Sequence, residues 1–95
     1  MNRPPEAFVL VDEDRLLAFS TACFEKSGLD ADHAALISRL LVNSDLRGVR
    51  THGTAAVDGY CRQFEEGGQN PRPKIAVLSE TPTTAVVDGD GTLGY

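Results

Sequence analysis

Apolar residues recur at every third or fourth position in three stretches of this chain, and polar residues fill the positions between them. This spacing predicts α-helices over residues 12–27, 30–47 and 54–66, because it gathers apolar side chains on one face of each helix. These faces are expected to pack together. The core residues predicted from the pattern are Leu16, Phe19, Ile37, Leu40, Leu41 and Phe64.

Residues that start or stop helices stand at the ends of these stretches. Asp12 and Asp30 precede the first two, where a carboxylate accepts hydrogen bonds from the free N–H groups of a first helical turn. Gly28 follows the first stretch and Gly67 follows the third, and glycine readily adopts the left-handed conformation that ends a helix. These signals support the predicted helices independently of the apolar spacing.

Strand-forming residues lie on either side of the helical region. Residues 7–11 predict a short leading strand, and residues 75–78 and 83–87 predict two later strands. Residues 88–91 resemble a nucleotide-binding loop in composition and are interpreted as a hairpin turn or a connector. The predicted fold class is α+β, with a short leading strand and a three-helix segment followed by the first strands of an incomplete sheet.

The same pattern predicts how the chain divides. Residues 1–70 are expected to form a helical N-terminal domain, and residues 71–95 a connector with the first strands of a truncated second domain. Two short strands do not make an independently stable sheet. We therefore expect either the front part of a longer protein or an abbreviated gene product.

Composition and charge narrow the possible functions. Hydrophobic residues make up 41% of the chain and charged residues 24%, which indicates a globular rather than a disordered protein. The net charge of −5 argues against nucleic acid or anionic membrane as a partner, because both require a basic surface. No apolar stretch approaches the roughly 20 residues of a membrane-spanning helix. Cys23 and Cys61 lack metal-ligand spacing, and we interpret them as reduced thiols of a cytoplasmic protein.

Residues 45–54 concentrate the side chains best suited to chemistry. Gly48 and Gly53 allow bends on either side of His52, so that its imidazole is presented to a cleft. Histidine titrates near neutral pH and therefore suits proton transfer. The alternative is that His52 is only a loop or cap residue. His33, the other histidine, is predicted to be a surface residue of the second helix.

Three groups of residues, taken in order, resemble one family. They are Asp45-Leu46-Arg47-Gly48 with Thr51-His52-Gly53, then Tyr60 with Gly67 and Asn70-Pro71-Arg72, then residues 81–90 with Leu93-Gly94. The set resembles the N-terminal portion of the type 2 malate/L-lactate dehydrogenase family, NAD(P)-dependent oxidoreductases that include ureidoglycolate, sulfolactate and diketogulonate-type enzymes. Members are considerably longer than this chain, and their nicotinamide-binding fold is not a Rossmann fold. The resemblance therefore implies that the last residues begin a non-Rossmann dehydrogenase sheet.

The resemblance also implies roles for individual residues. His52 matches the motif histidine beside the substrate, a candidate general acid, while Thr51 matches the motif Ser/Thr and Tyr60 a tyrosine of the same pocket. It implies a 2-oxo or 2-hydroxy acid as substrate, NAD or NADP bound mostly outside this chain, and a homodimer when full length. On apolar spacing alone, Tyr60 is equally well a core residue, and Thr51 only a helix cap.

One position departs from the family pattern. Many members have an arginine four residues after the histidine, where it could clamp a substrate carboxylate, and this chain has Ala56. Either Arg47 or Arg50 binds the carboxylate instead, or the substrate differs, or activity is impaired. Asp45 and Arg47 also have a structural interpretation, in which they pair or cap at the end of the second helix.

The sequence supports two hypotheses for the function. The first is an oxidoreductase of 2-hydroxy and 2-oxo acids, in which this chain supplies one wall of the active site. The second is a truncated, non-catalytic helical module for interaction or dimerisation, because the helices expose apolar surface. A helix-turn-helix DNA-binding function is disfavoured by the acidic charge balance.

Overall fold

A computed structural model describes residues 6–95, which form three α-helices followed by a β-hairpin. The helices are α1 (Glu13–Lys26), α2 (Ala31–Leu46) and α3 (Val57–Glu66), and the strands are β1 (Ala76–Glu80) and β2 (Ala85–Asp88). Two single turns of 3₁₀ helix, Arg50–His52 and Thr54–Ala56, connect α2 to α3. The predicted α+β class, three helices and then strands, is confirmed.

The capping residues act as the sequence indicates. The Asp12 carboxylate accepts a hydrogen bond from the backbone N–H of Arg15 at 3.0 Å, and the Asp30 carboxylate accepts one from that of His33 at 2.8 Å. Gly67 ends α3 with a φ of +85°, in the left-handed region that favours glycine. Local chemistry therefore sets these helix ends.

The core lies where the three helices meet. Its buried members are Phe24, Leu29, Ala34, Ile37, Leu41, Val57 and Phe64. The rings of Phe24 and Phe64 pack edge to face, with centroids 6.3 Å apart, and join α1 to α3. Three of the predicted core residues, Ile37, Leu41 and Phe64, are confirmed.

The predicted phase of α1 is wrong at one position. Phe19 is 66% exposed, while Leu16 and Leu40 are half-buried. The buried face of α1 runs through Ser20 and Phe24, which are one helical turn apart. Phe19 lies about 100° away from Ser20 around the helix and points off this face.

The predicted leading strand does not form. Residues 7–11 contain a bend and irregular backbone, and Phe8 to Val11 are 60–88% exposed. A strand needs a neighbour to pair its N–H and C=O groups. In residues 6–95 the two strands pair with each other, so the apolar stretch has no ladder to join.

The hairpin is antiparallel, with Ala76 opposite Asp88 and Glu80 opposite Ala85, and its register shifts between Val77 and Ser79. Both predicted strands exist, displaced toward the C-terminus by one or two residues. The backbone N–H of Thr81 closes the turn by donating to the Thr84 carbonyl at 2.7 Å. Every residue of both strands is exposed.

Contacts from the connector attach the hairpin to the helices. The Arg72 guanidinium donates through Nε to the Gly28 carbonyl at 3.0 Å, and Leu93 packs against the helical core. The backbone N–H of Asn70 donates to the Gly91 carbonyl at 2.9 Å. The predicted domain boundary between residues 70 and 71 stays a prediction.

Candidate active site

A turn between α2 and α3 presents His52 to solvent. Gly48, with a φ of +78°, allows the chain to leave α2 in a left-handed conformation. The backbone N–H of His52 then donates to the Val49 carbonyl at 3.1 Å, and that of Gly53 to the Arg50 carbonyl at 3.3 Å. These bonds form the first 3₁₀ turn and leave the His52 side chain exposed.

Thr51 is the hydrogen-bond partner of the His52 ring. Its Oγ1 lies 3.0 Å from Nδ1 of His52, and a hydroxyl serves such a nitrogen either as donor or as acceptor. The contact leaves Nε2, on the far side of an exposed ring, to face a ligand. Thr51 does not cap α3, whose N-cap residue is Ala56.

Gly53 is needed for space rather than for backbone freedom. Its φ of −112° is open to any residue, which corrects the expectation that it supplies a glycine-only bend. A Cβ at Gly53 would come within 2.7 Å of Cγ of Asp45. The Asp45 carboxylate therefore lies directly over the Gly53 backbone.

Asp45 bridges the two sides of the turn. Its two carboxylate oxygens accept from the backbone N–H of Thr54 at 3.3 and 3.2 Å, and the Thr54 hydroxyl donates to the same carboxylate. Asp45 is therefore a cap, but for the second 3₁₀ turn rather than for its own helix. Two features of the sequence could have indicated this contact: an acidic residue in the last turn of α2, and the Gly53-Thr54 pair on the other side of His52.

Tyr60 packs against the helical core and also reaches a residue that the sequence did not single out. Its hydroxyl oxygen lies 3.4 Å from that of Tyr95, with the ring centroids 6.2 Å apart in an edge-to-face arrangement. This hydrogen bond, together with partial burial, raises the pKa of Tyr95 to about 12. In residues 6–95 no hydrogen bond joins Tyr60 to His52, so tertiary structure pairs Tyr60 with Tyr95 instead.

The two candidate arginines lie in different surroundings. Arg50 lines an open, largely apolar cleft of about 680 Å³, together with Asp45, Thr54 and side chains of residues 8–11. Arg47 is exposed just beyond α2, and it does not line this cleft. His52 and Tyr60 do not line it either, so the cleft and the imidazole are separate features.

A second cleft, of about 420 Å³, holds both cysteines between α1 and α3. Cys23 and Cys61 are free thiols, and burial raises the pKa of Cys61. Residues 6–95 contain no group of three or more His, Cys, Asp or Glu side chains placed to hold a metal ion. None of the helices in this part of the chain is long and apolar enough to cross a membrane.

The residues after β2 have a glycine spacing that the sequence reasoning missed. Gly89, Gly91 and Gly94 follow the Gly-x-Gly-x-x-Gly pattern of dinucleotide-binding loops. That pattern binds a pyrophosphate at the start of a helix within a parallel βαβ unit. Here it follows an antiparallel hairpin, and residues 89–95 form a turn and irregular backbone. The spacing by itself does not make a cofactor site.

The three helices and the antiparallel hairpin match part of the solved structure of a malate dehydrogenase. The sequence profile of the malate/L-lactate dehydrogenase family matches residues 11–95. The chain belongs to this family. The resemblance to its N-terminal portion is thereby confirmed.

The relatives agree with this assignment. Malate dehydrogenase from Pyrococcus horikoshii is 38% identical over 89 residues, which cover 94% of this chain and 25% of the relative. Its solved structure matches with a TM-score of 0.87 over 95% of this chain and 26% of that one. L-sulfolactate dehydrogenase from Methanocaldococcus jannaschii is 36% identical over 70 residues, or 74% of this chain and 20% of the relative. The chain therefore spans about a quarter of the length of the curated relatives that it matches.

Proposed function

We propose that this chain supplies one wall of the active site of an NAD(P)-dependent dehydrogenase that interconverts 2-hydroxy and 2-oxo acids, with His52 as the general acid. Membership of the malate/L-lactate dehydrogenase family supports the reaction class. The names of the relatives, which include malate and sulfolactate dehydrogenases, support a hydroxy acid as substrate.

The contact between Thr51 and His52 is the observation that carries the proposal. When a carbonyl is reduced, negative charge develops on its oxygen, and an imidazolium within hydrogen-bond reach can donate a proton there. In the imidazolium both ring nitrogens are donors, so Nδ1–H donates to the Thr51 hydroxyl while Nε2–H faces the substrate. After Nε2 loses its proton, the bond at Nδ1 is unchanged. Thr51 therefore holds the ring in one orientation throughout proton transfer.

We propose that Arg47 or Arg50 binds the substrate carboxylate, because Ala56 has no group that could do so. Arg50 is the better placed, since it shares the first 3₁₀ turn with His52. Thr51 and Tyr60 complete the proposed set of substrate-binding residues. The Tyr60 hydroxyl lies beside that of Tyr95.

The cofactor, NAD or NADP, is proposed to bind mostly outside these residues. The turn after β2 is a poor phosphate site, because it carries the carboxylates of Asp88 and Asp90 and no helix start. The Asp90 carboxylate already accepts from the backbone N–H of Lys74 at 2.9 Å. A nicotinamide cofactor is supported by the relatives, of which the Escherichia coli ureidoglycolate dehydrogenase includes NAD(+) in its name. We further propose a cytoplasmic enzyme that is a homodimer at full length.

A grafted enzyme tests the role of His52. Residues 11–95 of this chain replace the corresponding segment of Pyrococcus horikoshii malate dehydrogenase, and reduction of 2-oxo acids is followed by the absorbance of NADH and NADPH. His52→Ala should lower kcat and kcat/KM by a similar factor of about 10² to 10⁴, because the proton is needed mainly as oxyanion charge develops. His33→Ala is the control and should change little, since His33 lies in the first turn of α2, away from the turn that holds His52.

Two results with the grafted enzyme would contradict the proposal. A folded graft that stays inactive, even with Ala56→Arg, would contradict the proposal that these residues form a working active-site wall. An active graft in which His52→Ala leaves kcat unchanged would remove His52 from the mechanism and leave it as a loop residue.

A non-catalytic interaction module is the second candidate function. The observation that favours it is the amount of exposed apolar surface, which includes residues 8–11 and the strand residues Val77, Leu78, Val86 and Val87. Size-exclusion chromatography with light scattering separates the two. Stable self-association of an inactive chain would support the module, and a monomeric chain would argue against it.

A further inference from the structure

Asp45 has an unfavourable position within its own helix. It lies in the last turn of α2 (Ala31–Leu46), where the partial negative charge of the helix end repels a carboxylate. No basic residue lies in that last turn to compensate. The reason for an acid at this position must therefore come from outside α2.

Within residues 6–95, the hydrogen bonds of the Asp45 side chain go to Thr54, nine residues away and on the far side of the His52 turn. A half-buried carboxylate that accepts from both a backbone N–H and a hydroxyl makes charge-assisted bonds, which are stronger than neutral ones. Thr54 begins the second 3₁₀ turn, which has no side-chain cap from its own N-cap residue, Gly53. Asp45 supplies that cap from a distance.

Gly53 lets the carboxylate reach Thr54. Gly53 is buried, and a Cβ there would overlap the Asp45 side chain. The Asp45 carboxylate therefore lies against Gly53, which directly follows His52, and accepts hydrogen bonds from the next residue, Thr54. Since α2 anchors Asp45, the far end of the turn is fixed relative to a rigid helix.

The His52 side chain depends on this arrangement, because its own contacts are few. It is exposed, and its ring is bonded to its sequence neighbour Thr51, which moves with the same turn. We propose that Asp45 is a positioning residue that holds the His52 turn, through Gly53 and Thr54, in the geometry required for proton transfer. This role rests on the proposed function of His52.

Hydrogen exchange measured by NMR on the 95-residue chain tests the structural half of the proposal. Asp45→Ala should speed exchange of the Thr54 amide by about 10-fold or more, because it loses its acceptor. If Asp45 holds the whole turn, the amides of His52 and Gly53, which bond to carbonyls within the turn, should speed up as well. Acceleration of Thr54 alone would overturn the proposal.

Three further variants separate positioning from general destabilisation. Ile37→Val removes a methyl group from the fully buried core. It should speed hydrogen exchange of the protected amides of α2, with no larger effect on the amides of residues 52–54. Thr54→Val keeps the backbone N–H but loses the hydroxyl, and it should reproduce the local effect of Asp45→Ala in smaller measure. Thr54→Ser keeps a hydroxyl and should restore the slow exchange of the amides of residues 52–54. If Asp45→Ala does not fold, the comparison of Thr54→Val with Thr54→Ser carries the test.

A double-mutant cycle in the grafted enzyme tests the functional half. Asp45→Ala should lower kcat by about 10-fold or more with little change in KM, and it should cost almost nothing further in a His52→Ala background. Fully additive losses would show that Asp45 does not act through His52 and would overturn the proposal. An unchanged kcat in Asp45→Ala, with a large loss in His52→Ala, would also overturn it while leaving the proposed function intact. Unchanged kcat in His52→Ala would instead defeat the proposed function itself.

Discussion

Ala56 follows His52 by four residues and has no polar side-chain atom, whereas the family pattern has arginine at this position. Since Arg47 or Arg50 is proposed to bind the substrate carboxylate, we predict that Ala56→Arg in the grafted enzyme raises KM for carboxylate substrates by about 10-fold, because another guanidinium would crowd and repel the one already there. The measurement is steady-state kinetics with a series of 2-oxo acids.

The control for length without charge is Ala56→Met, which should raise KM by a smaller factor because it lacks the like charge. A fall in KM in Ala56→Arg, with an unchanged fold by circular dichroism, would contradict the prediction. It would indicate that neither Arg47 nor Arg50 occupies the space beside the substrate carboxylate.

Replacing glycine by alanine should have opposite effects on the free energy of unfolding at two positions of this chain. Gly53→Ala is predicted to lower the free energy of unfolding by about 1–3 kcal/mol, since the new Cβ would meet the Asp45 carboxylate. Gly59→Ala, within α3 and with no atom within 4 Å of the new Cβ, should raise it by about 0.5–1 kcal/mol. Urea unfolding followed by circular dichroism measures both. Equal effects at the two sites would contradict the close approach of Asp45 to Gly53.

At the scale of elements, the two phenylalanines of α1 differ strongly in burial. Phe24 is fully buried against Phe64, while Phe19 is 66% exposed. Phe24→Ala is therefore predicted to lower the free energy of unfolding by about 3–5 kcal/mol. Phe19→Ala should change it by less than about 0.5 kcal/mol.

Thermal and urea unfolding of the two variants decide this prediction. A small domain has only about 5–15 kcal/mol of stability in total, so the Phe24 variant should be visibly less stable at room temperature. If Phe19→Ala proved as costly as Phe24→Ala, the apolar face of α1 would be the one predicted from sequence rather than the one in the structure.

The hairpin depends on its connector more than on its own strands. A two-stranded hairpin is at best marginally stable in water, and here every strand residue is exposed. The Asn70 side chain donates to the carbonyl and the carboxylate of Asp90, at 2.9 and 3.1 Å. These bonds attach the base of β2 to the segment that follows α3, so the helices hold the hairpin in place.

At the scale of the whole molecule, the chain corresponds to about a quarter of the length of its relatives. The described residues contain no helix start that could receive a pyrophosphate after β2. We therefore predict that the 95-residue chain binds neither NADH nor NADPH tightly and does not reduce 2-oxo acids. Isothermal titration calorimetry with both cofactors checks this, and micromolar binding would contradict it.

The sequence by itself determined what depends on neighbouring residues. Asp12 and Asp30 cap helices because the carboxylate and the N–H that it accepts from are three residues apart. Gly67 ends α3 because a left-handed residue costs least when it is glycine. The motif around His52 was recognisable for the same reason, since its residues are consecutive and form one local turn.

Tertiary structure alone decided what depends on partners far away in the chain. Apolar spacing predicted Phe19 as the core residue of α1, and packing against α3 selected Phe24 instead. Residues 7–11 have strand preference, yet strand formation requires a neighbour that preference does not supply. The contact of Asp45 with Thr54 and the pairing of Tyr60 with Tyr95 likewise join residues that no local rule connects. Such contacts arise only when helices pack, because packing sets which side chains from distant positions come within hydrogen-bond reach.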